Sequence, residues 1–287
     1  MKYVFIDKYR SEFVVERMCL VLSVSRSGYY GWKKKPECKR KQENDKILVK
    51  IKEFYQRSDR NYGSPRITKD LRAAGEMYGE NRIARLMREN GIKAKTVRKF
   101  KATTNSKHNL PVAKNLLKQD FKAEKPNTVW VSDITYIPTL EGWLYLVVIL
   151  DVFSRQVVGW AMSKRLTADF VVRALHQAVG RRKPEAGCIL HSDQGVQYAC
   201  MDFVSVLKQY GFIQSMSRRG NCYDNAMAES FFKTLKTEQV YHRRYQTRDE
   251  AKQSIFKYIE MFYNRQRRHS TLGYRSPVAF ERENLVA

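Results

Sequence analysis

Apolar positions recur with two different periods along this chain, and the change of period divides it. Residues 11–35 look helical, then turn at SRSGYYGW and run into the basic stretch KKKPECKRK. From 45 to about 100 the period stays helical. ILVKIKEFY sets Ile47, Ile51, Phe54 and Tyr55 on one face. In YGSPRITKDLRAAG, Ser64 is the expected N-cap and Pro65 the first helical residue; Ile67 and Leu71 stand four apart, and Gly75 stops the helix. NRIARLMRENG should be capped by Asn81, bury Ile83, Leu86 and Met87, and end at Gly91. Arg82, Arg85 and Arg88 fall on its exposed sides.

Beyond a basic, aperiodic stretch the period shortens. VWVSDITYI, WLYLVVILD and RQVVGWAMS read as strands, the last two joined as a hairpin through VFS. ADFVVRALHQAVGRR is an amphipathic helix opened by Thr167 or Asp169. GCILHSD follows as a buried strand, MDFVSVLKQYG as a helix and FIQSMS as a strand. Two long helices, at about 224–241 and 248–265, complete the pattern. Strands first and then alternation predict an α/β domain with a mixed sheet. The expected organisation is a helical segment and basic linker at 1–44, a helix-turn-helix-like DNA-binding domain at 45–100, a linker at 101–126 and the α/β domain with its helical tail at 127–287.

Charge sharpens this reading. The chain has 54 Lys and Arg against 29 Asp and Glu, a net charge of +25, which calls for a polyanionic partner such as nucleic acid. Residues 1–126 carry 32 basic and 14 acidic side chains; residues 127–287 carry 22 and 15. The front half is therefore the main polyanion-gripping part, and two short helices, the second lined with arginine, suggest a helix-turn-helix. A small helical bundle with a solvated basic face is the alternative on the helical pattern alone. KKKPECKRK is a solvated linker or a phosphate contact. The five cysteines show no paired spacing, against a zinc site or a secreted disulfide scaffold. LYLVVIL is too short to cross a bilayer, and no signal-peptide core opens the chain, so the expectation is a cytoplasmic protein with no membrane partner.

Three acids stand out by position. Asp133 interrupts a strand of bulky residues, Asp193 ends the strand GCILHSD, and Glu229 lies on the helix DNAMAESFFKTLK. On that helix Ala228, Phe231, Phe232 and Leu235 form the core stripe. Asn225, Glu229 and Lys236 form a second, polar one, with Glu229 and Lys236 about 10 Å apart by the helical rise. Phosphodiester transfer needs charge neutralised on the attacking and leaving oxygens. Two Mg²⁺ ions held by hard carboxylate oxygens supply that, with Lys236 gripping the DNA strand as a point charge. Asp151 reads instead as the start of a hairpin turn and Asp224 as a helix cap. His191 reads as a hydrogen-bonded strand histidine, and Asn225 as a substrate contact or a support of the first helical turn. The SRRG loop, with Arg218, Arg219 and Gly220, could clamp DNA. Tyr263, Arg265, Arg267, Arg268 and His269 form a basic run suited to DNA backbone contact.

WVSDITYI, LDVFSRQVVGW, HSDQGVQY, GNCYDNAMAESFFKTLKTE and YNRQRRHSTLGYRSP resemble the matching stretches of the DDE transposases of bacterial insertion sequences, specifically the second-reading-frame product of the insertion sequence three family, cousins of retroviral integrases. Thirty-five residues separate Asp193 from Glu229, a spacing typical of that family, and Lys236 occupies its basic position. YGSPRI and NRIARLMRENGI resemble the helices that precede its catalytic domain. The resemblance implies a ribonuclease-H-like fold with Asp133, Asp193 and Glu229 as catalytic metal ligands for two Mg²⁺ ions, Mn²⁺ substituting. It also implies 3′-end cleavage and strand transfer on terminal inverted repeats and target DNA, by a homo-oligomer that works alone or with the upstream-frame product. Two other readings stay open: a DNA-binding regulator or competitor of transposition, and a ribonuclease acting on RNA–DNA hybrids.

Overall fold

A computed structural model of the chain describes residues 1–34, 38–96, 111–218 and 222–285. It divides into two compact units, Met1–Glu53 and Phe54–Ala287. The first contains α1 (Lys2–Tyr9), α2 (Val15–Val21), α3 (Arg26–Lys34) and most of α4 (Lys39–Arg57). SRSGYYGW, expected to turn, is mostly helix α3. Ser25 caps it by accepting the Gly28 N–H at 2.9 Å, and Tyr29 anchors it in a small core with Ile6, Met18 and Cys19. The run CKRK, expected in a linker, leads directly into α4, whose Ile47 and Ile51 are buried as the periodicity requires.

The second unit opens with α5 (Ser64–Ala73) and α6 (Glu80–Glu89). Their buried faces are the expected ones, and both end where Gly75 and Gly91 take positive φ. The expected caps are displaced by one and two residues. Gly63 and Gly79 occupy the extended N-cap positions, so Ser64 and Asn81 lie inside the helices and give no capping bond.

Five strands follow: β1 (Val129–Thr139), β2 (Gly142–Asp151), β3 (Val157–Ser163), β4 (Ile189–Ser192) and β5 (Ile213–Met216). Between them lie α7 (Ala168–Arg182), α8 (Val196–Ala199) and α9 (Met201–Gln209). The strands stand in the order β3-β2-β1-β4-β5. The first three are antiparallel, and β4 and β5 are added in parallel. This is the mixed α/β sheet that the pattern predicts, in a ribonuclease-H-like arrangement. Strand periodicity gives each face its own core. Trp130, Val147, Ile149 and Leu190 meet Phe170, Leu175 and Phe203 on one side. Val131, Ile137, Leu146 and Val148 meet α10 (Ala226–Glu238) and α11 (Arg248–Phe256) on the other, through Ala228, Phe231, Leu235 and Ile255. α11 continues as a π-helical turn at Lys257–Tyr263, and α12 (Pro277–Leu285) closes the described chain.

One buried ion pair fixes the tail to the rest of this unit. Arg267, 5 % exposed, donates two hydrogen bonds from Nε and one from Nη2 to Glu238 at 2.7–3.0 Å. Tyr258 donates a further bond to Glu238 at 2.8 Å, and Arg66 of α5 approaches it at 3.4 Å. The Tyr62 hydroxyl donates to the Gln266 carbonyl and accepts from the Arg268 N–H. α5 is thereby held on the tail.

Breaking a buried pair from one side leaves an uncompensated charge, at a cost of roughly 3–5 kcal/mol. Glu238→Gln should therefore lower the unfolding free energy in urea by that order. A loss below about 1 kcal/mol would show that the pair does not hold the tail.

Candidate active site

β1 and β4 run parallel, with Val131 opposite His191. Asp133 and Asp193 each lie two residues beyond that pair, Asp133 on the face of β1 that α10 covers and Asp193 past the end of β4, close enough for the Asp193 charge to act on Asp133. Asp133 Oδ1 accepts the Ile134 N–H at 2.7 Å. Asp193 stands just past the end of β4, and its Oδ1 accepts the Gly195 N–H at 3.0 Å, which shapes the turn into α8.

The third acid is delivered by a single backbone tie. Asn225 Nδ2 donates to the Ser132 carbonyl at 3.1 Å, fixing the start of α10 against the strand residue next to Asp133. Glu229 is one turn further along, and Lys236 about two turns beyond Glu229. Asn225 therefore supports the start of the helix, one of the two roles expected of it, by joining it to the strand.

Charge ties these groups together. Burial, and then the neighbouring Asp193 carboxylate, pushes the Asp133 carboxyl well above its usual range. Glu229 adds to that rise, while Lys236 opposes it. The Lys236 ammonium is lowered by its partial burial, against the pull of Asp133. Glu229 stands at the exposed rim, and its carboxyl is raised by the desolvation it does suffer. Among the described residues, no three His, Cys, Asp or Glu side chains draw close enough to hold a metal ion in their present rotamers. The donor chemistry nevertheless fits a hard divalent cation: carboxylate oxygens, two of them neighbours, whose mutual repulsion a cation would relieve.

Two further residues belong to this neighbourhood. Ser132 Oγ and the Tyr198 hydroxyl lie 2.8 Å apart beneath the strand, and the Tyr198 hydroxyl is pushed well up by burial and then by the Asp193 and Asp133 charges. Tyr198 falls in HSDQGVQY, three residues beyond Gly195. That stretch was the signal that could have found it.

The remaining expected residues divide. Asp151 is a structural turn residue, fully buried and accepting from the Asn127, Phe153 and Ser154 amides and from Trp130 Nε1. His191 is held between Ser215 and Ser217 at 2.8 and 3.1 Å, as a strand histidine. Asp224 does not cap α10. It receives the Arg218 guanidinium, Asn115 and Gln119, and the Arg218 contact holds its carboxyl well below the usual range. Arg218 is thus engaged within the protein, while Arg219 and Gly220 lie outside the described residues. On α6, Arg82 lies over the Tyr78 ring, Arg85 is 3.7 Å from Glu89, and Arg88 is exposed. The tail requires a correction. Arg267 is buried on Glu238, and Arg268 is spent on Asp70 and the Tyr274 carbonyl, so neither guanidinium faces outward as a DNA contact should.

Family models match three successive stretches: an HTH-like domain over residues 42–100 and integrase core domains over 123–222 and 229–285. The transposase InsF for insertion sequence IS3A of Escherichia coli K12 is 44% identical over 100% of both chains. An uncharacterized 31 kDa protein of insertion element IS600 from Shigella sonnei is 49% identical over 92% of this chain and 97% of its own. Among solved structures, the catalytic core domain of BIV integrase is similar at 18% identity and a TM-score of 0.43, covering 56% of this chain and 97% of that one.

Beside the buried ion pair, the His269 imidazole is pushed down to about 4 by burial and by the Arg267, Arg155 and Arg66 charges. A histidine kept neutral by folding contributes stability that is present above its ordinary value of 6.5 and is lost as pH falls from there toward 4. Urea midpoints of the wild type should therefore drop relative to those of His269→Gln between pH 7 and 4.5. Parallel pH profiles would show that His269 does not titrate with folding.

Proposed function

The chain belongs to the IS3 family of insertion-sequence transposases, and from that premise we propose that Asp133, Asp193 and Glu229 form the centre that cuts and joins DNA ends. The reading is supported by the parallel pairing of β1 with β4, which ends two residues short of Asp133 and Asp193, and by the Asp193 charge that acts on Asp133. The three carboxylates would hold two Mg²⁺ ions, with Mn²⁺ able to substitute. Bound there, the ions would neutralise charge on the attacking and leaving oxygens of a phosphodiester.

The protein's own groups do the rest. Asp133, rigid in mid-strand, sets the position of the centre. Glu229, at the rim of α10, completes the donor set by a change of rotamer. Lys236 holds a neighbouring phosphate as a point charge. Water then displaces the 3′-oxygen at the end of the element, leaving a free 3′-hydroxyl. That hydroxyl attacks a second phosphodiester and displaces its 3′-oxygen, so one bond forms for each one broken and no covalent protein intermediate is needed. The α5–α6 pair, with Arg72 and Arg88 exposed, grips duplex DNA. A multimer, alone or with the upstream-frame product, would hold both terminal repeats.

Asp133→Asn should abolish joined product when the protein is incubated with element ends and Mg²⁺, while duplex affinity stays within about twofold, a change under 0.5 kcal/mol. Full joining by that variant would remove the role assigned to Asp133. Binding without joining by the wild type would instead favour a regulator of transposition.

A further inference from the structure

The first unit contains an arrangement that the carboxylate centre does not use. α2 ends in a tight reversal: Ser23 takes a φ of +50°, its N–H donates to the Leu20 carbonyl, and the Val24 N–H donates to the Cys19 carbonyl at 2.9 Å. Ser25 then caps α3. Two short helices joined by a four-residue turn, with α1 packed on α2 and a core of Ile6, Met18, Cys19 and Tyr29, make a three-helix helix-turn-helix. We propose that residues 15–34 are a second DNA-reading module, distinct from α5–α6, which lays α3 in the major groove of duplex DNA.

The exposed face of α3 supports this. Ser27, Gly31 and Lys34 recur at four and three residues on the side away from buried Tyr29, with Tyr30 beside them. Its two glycines differ. A Cβ on Gly28 would meet the Tyr3 hydroxyl oxygen at 2.4 Å, so packing accounts for that residue. A Cβ on Gly31 would meet nothing within 4 Å among the described residues. A glycine inside a helix costs about 1 kcal/mol relative to alanine, and nothing in the unit repays it here. A face stripped to hydroxyl, hydrogen and ammonium suits close approach to base edges and phosphates. Residues 2–34 carry seven basic and three acidic side chains, the sign a polyanion needs. Arg26 and Lys33 already lie near Glu16 and Asp7, at 3.4 and 3.2 Å, which leaves Lys34 as the cation for a phosphate.

The test uses the full chain in EDTA, so that no chemistry at the carboxylates contributes, with a random-sequence duplex pool as probe. Selection by the wild type should enrich a motif and give a hydroxyl-radical footprint with a segment that Gly31→Glu loses, together with at least about tenfold in affinity for the selected duplex. Gly31→Glu should unfold in urea no earlier than the wild type, because its side chain meets open space. Lys34→Gln should reduce the salt slope of binding by about one. A folded Gly31→Glu protein with the wild-type footprint and affinity would overturn the proposal, as would equal affinity of the wild type for duplex RNA, whose major groove admits no helix. Loss of joining by Asp133→Asn bears on the other centre and moves none of these readings.

Discussion

The parallel pairing of β1 with β4 is the constraint on which the site depends. Antiparallel β1–β2 pairing needs only a tight turn, but a parallel partner must return over the sheet, and here α7 makes that crossing. The return brings in a strand of four residues, Ile189–Ser192. Pairing ends before Asp193, so that acid is not absorbed into the ladder, and its charge acts on Asp133. Two like charges are thus placed where the fold alone gives them little relief, and the raised Asp133 carboxyl is the result.

Such a pair would be a liability if the surrounding frame could move. The frame is fixed by neutral hydrogen bonds more than by counter-charges. Asn225 ties α10 to the Ser132 carbonyl, Ser132 meets the Tyr198 hydroxyl, and two serines hold His191. Lys236 is the cation whose field reaches Asp133, and it lies farther along the helix. Polar ties of this sort orient the carboxylates without neutralising them.

Much of this was legible before any coordinates, and the reasons can be named. Strand periodicity marked Asp133 as an anion among β-branched residues, and helical spacing put Glu229 and Lys236 on one face. Both are local facts. The hairpin and the helix α7 followed for the same reason. What could not be read depends on long-range partners. Glu238 and Arg267 are 29 residues apart, and Arg268 and Asp70 are 198 apart. No local pattern shows that RQRRH turns two of its cations inward. The glycines of SRSGYYGW suggested a turn because a sequence does not show that Gly28 receives Tyr3.

Basic runs therefore carry less information than they seem to, and the correction changes how the charge of this protein should be apportioned. A guanidinium buried on a carboxylate contributes to net charge at long range but is turned away from a phosphate, and only direct contact fixes register on a duplex. Subtracting Arg267 and Arg268, each engaged with an acid, removes two of the tail's cations and leaves Arg265 exposed. Arg88 on α6 and Lys34 on α3 stand exposed on short helices in the front part of the chain, and Lys233 on α10 and Arg265 in the tail stand exposed in the back part. If the front helices contact DNA as proposed, the sheet supplies anions that would meet phosphates only through intervening cations. Carboxylates left bare would repel the same backbone that the front helices attract.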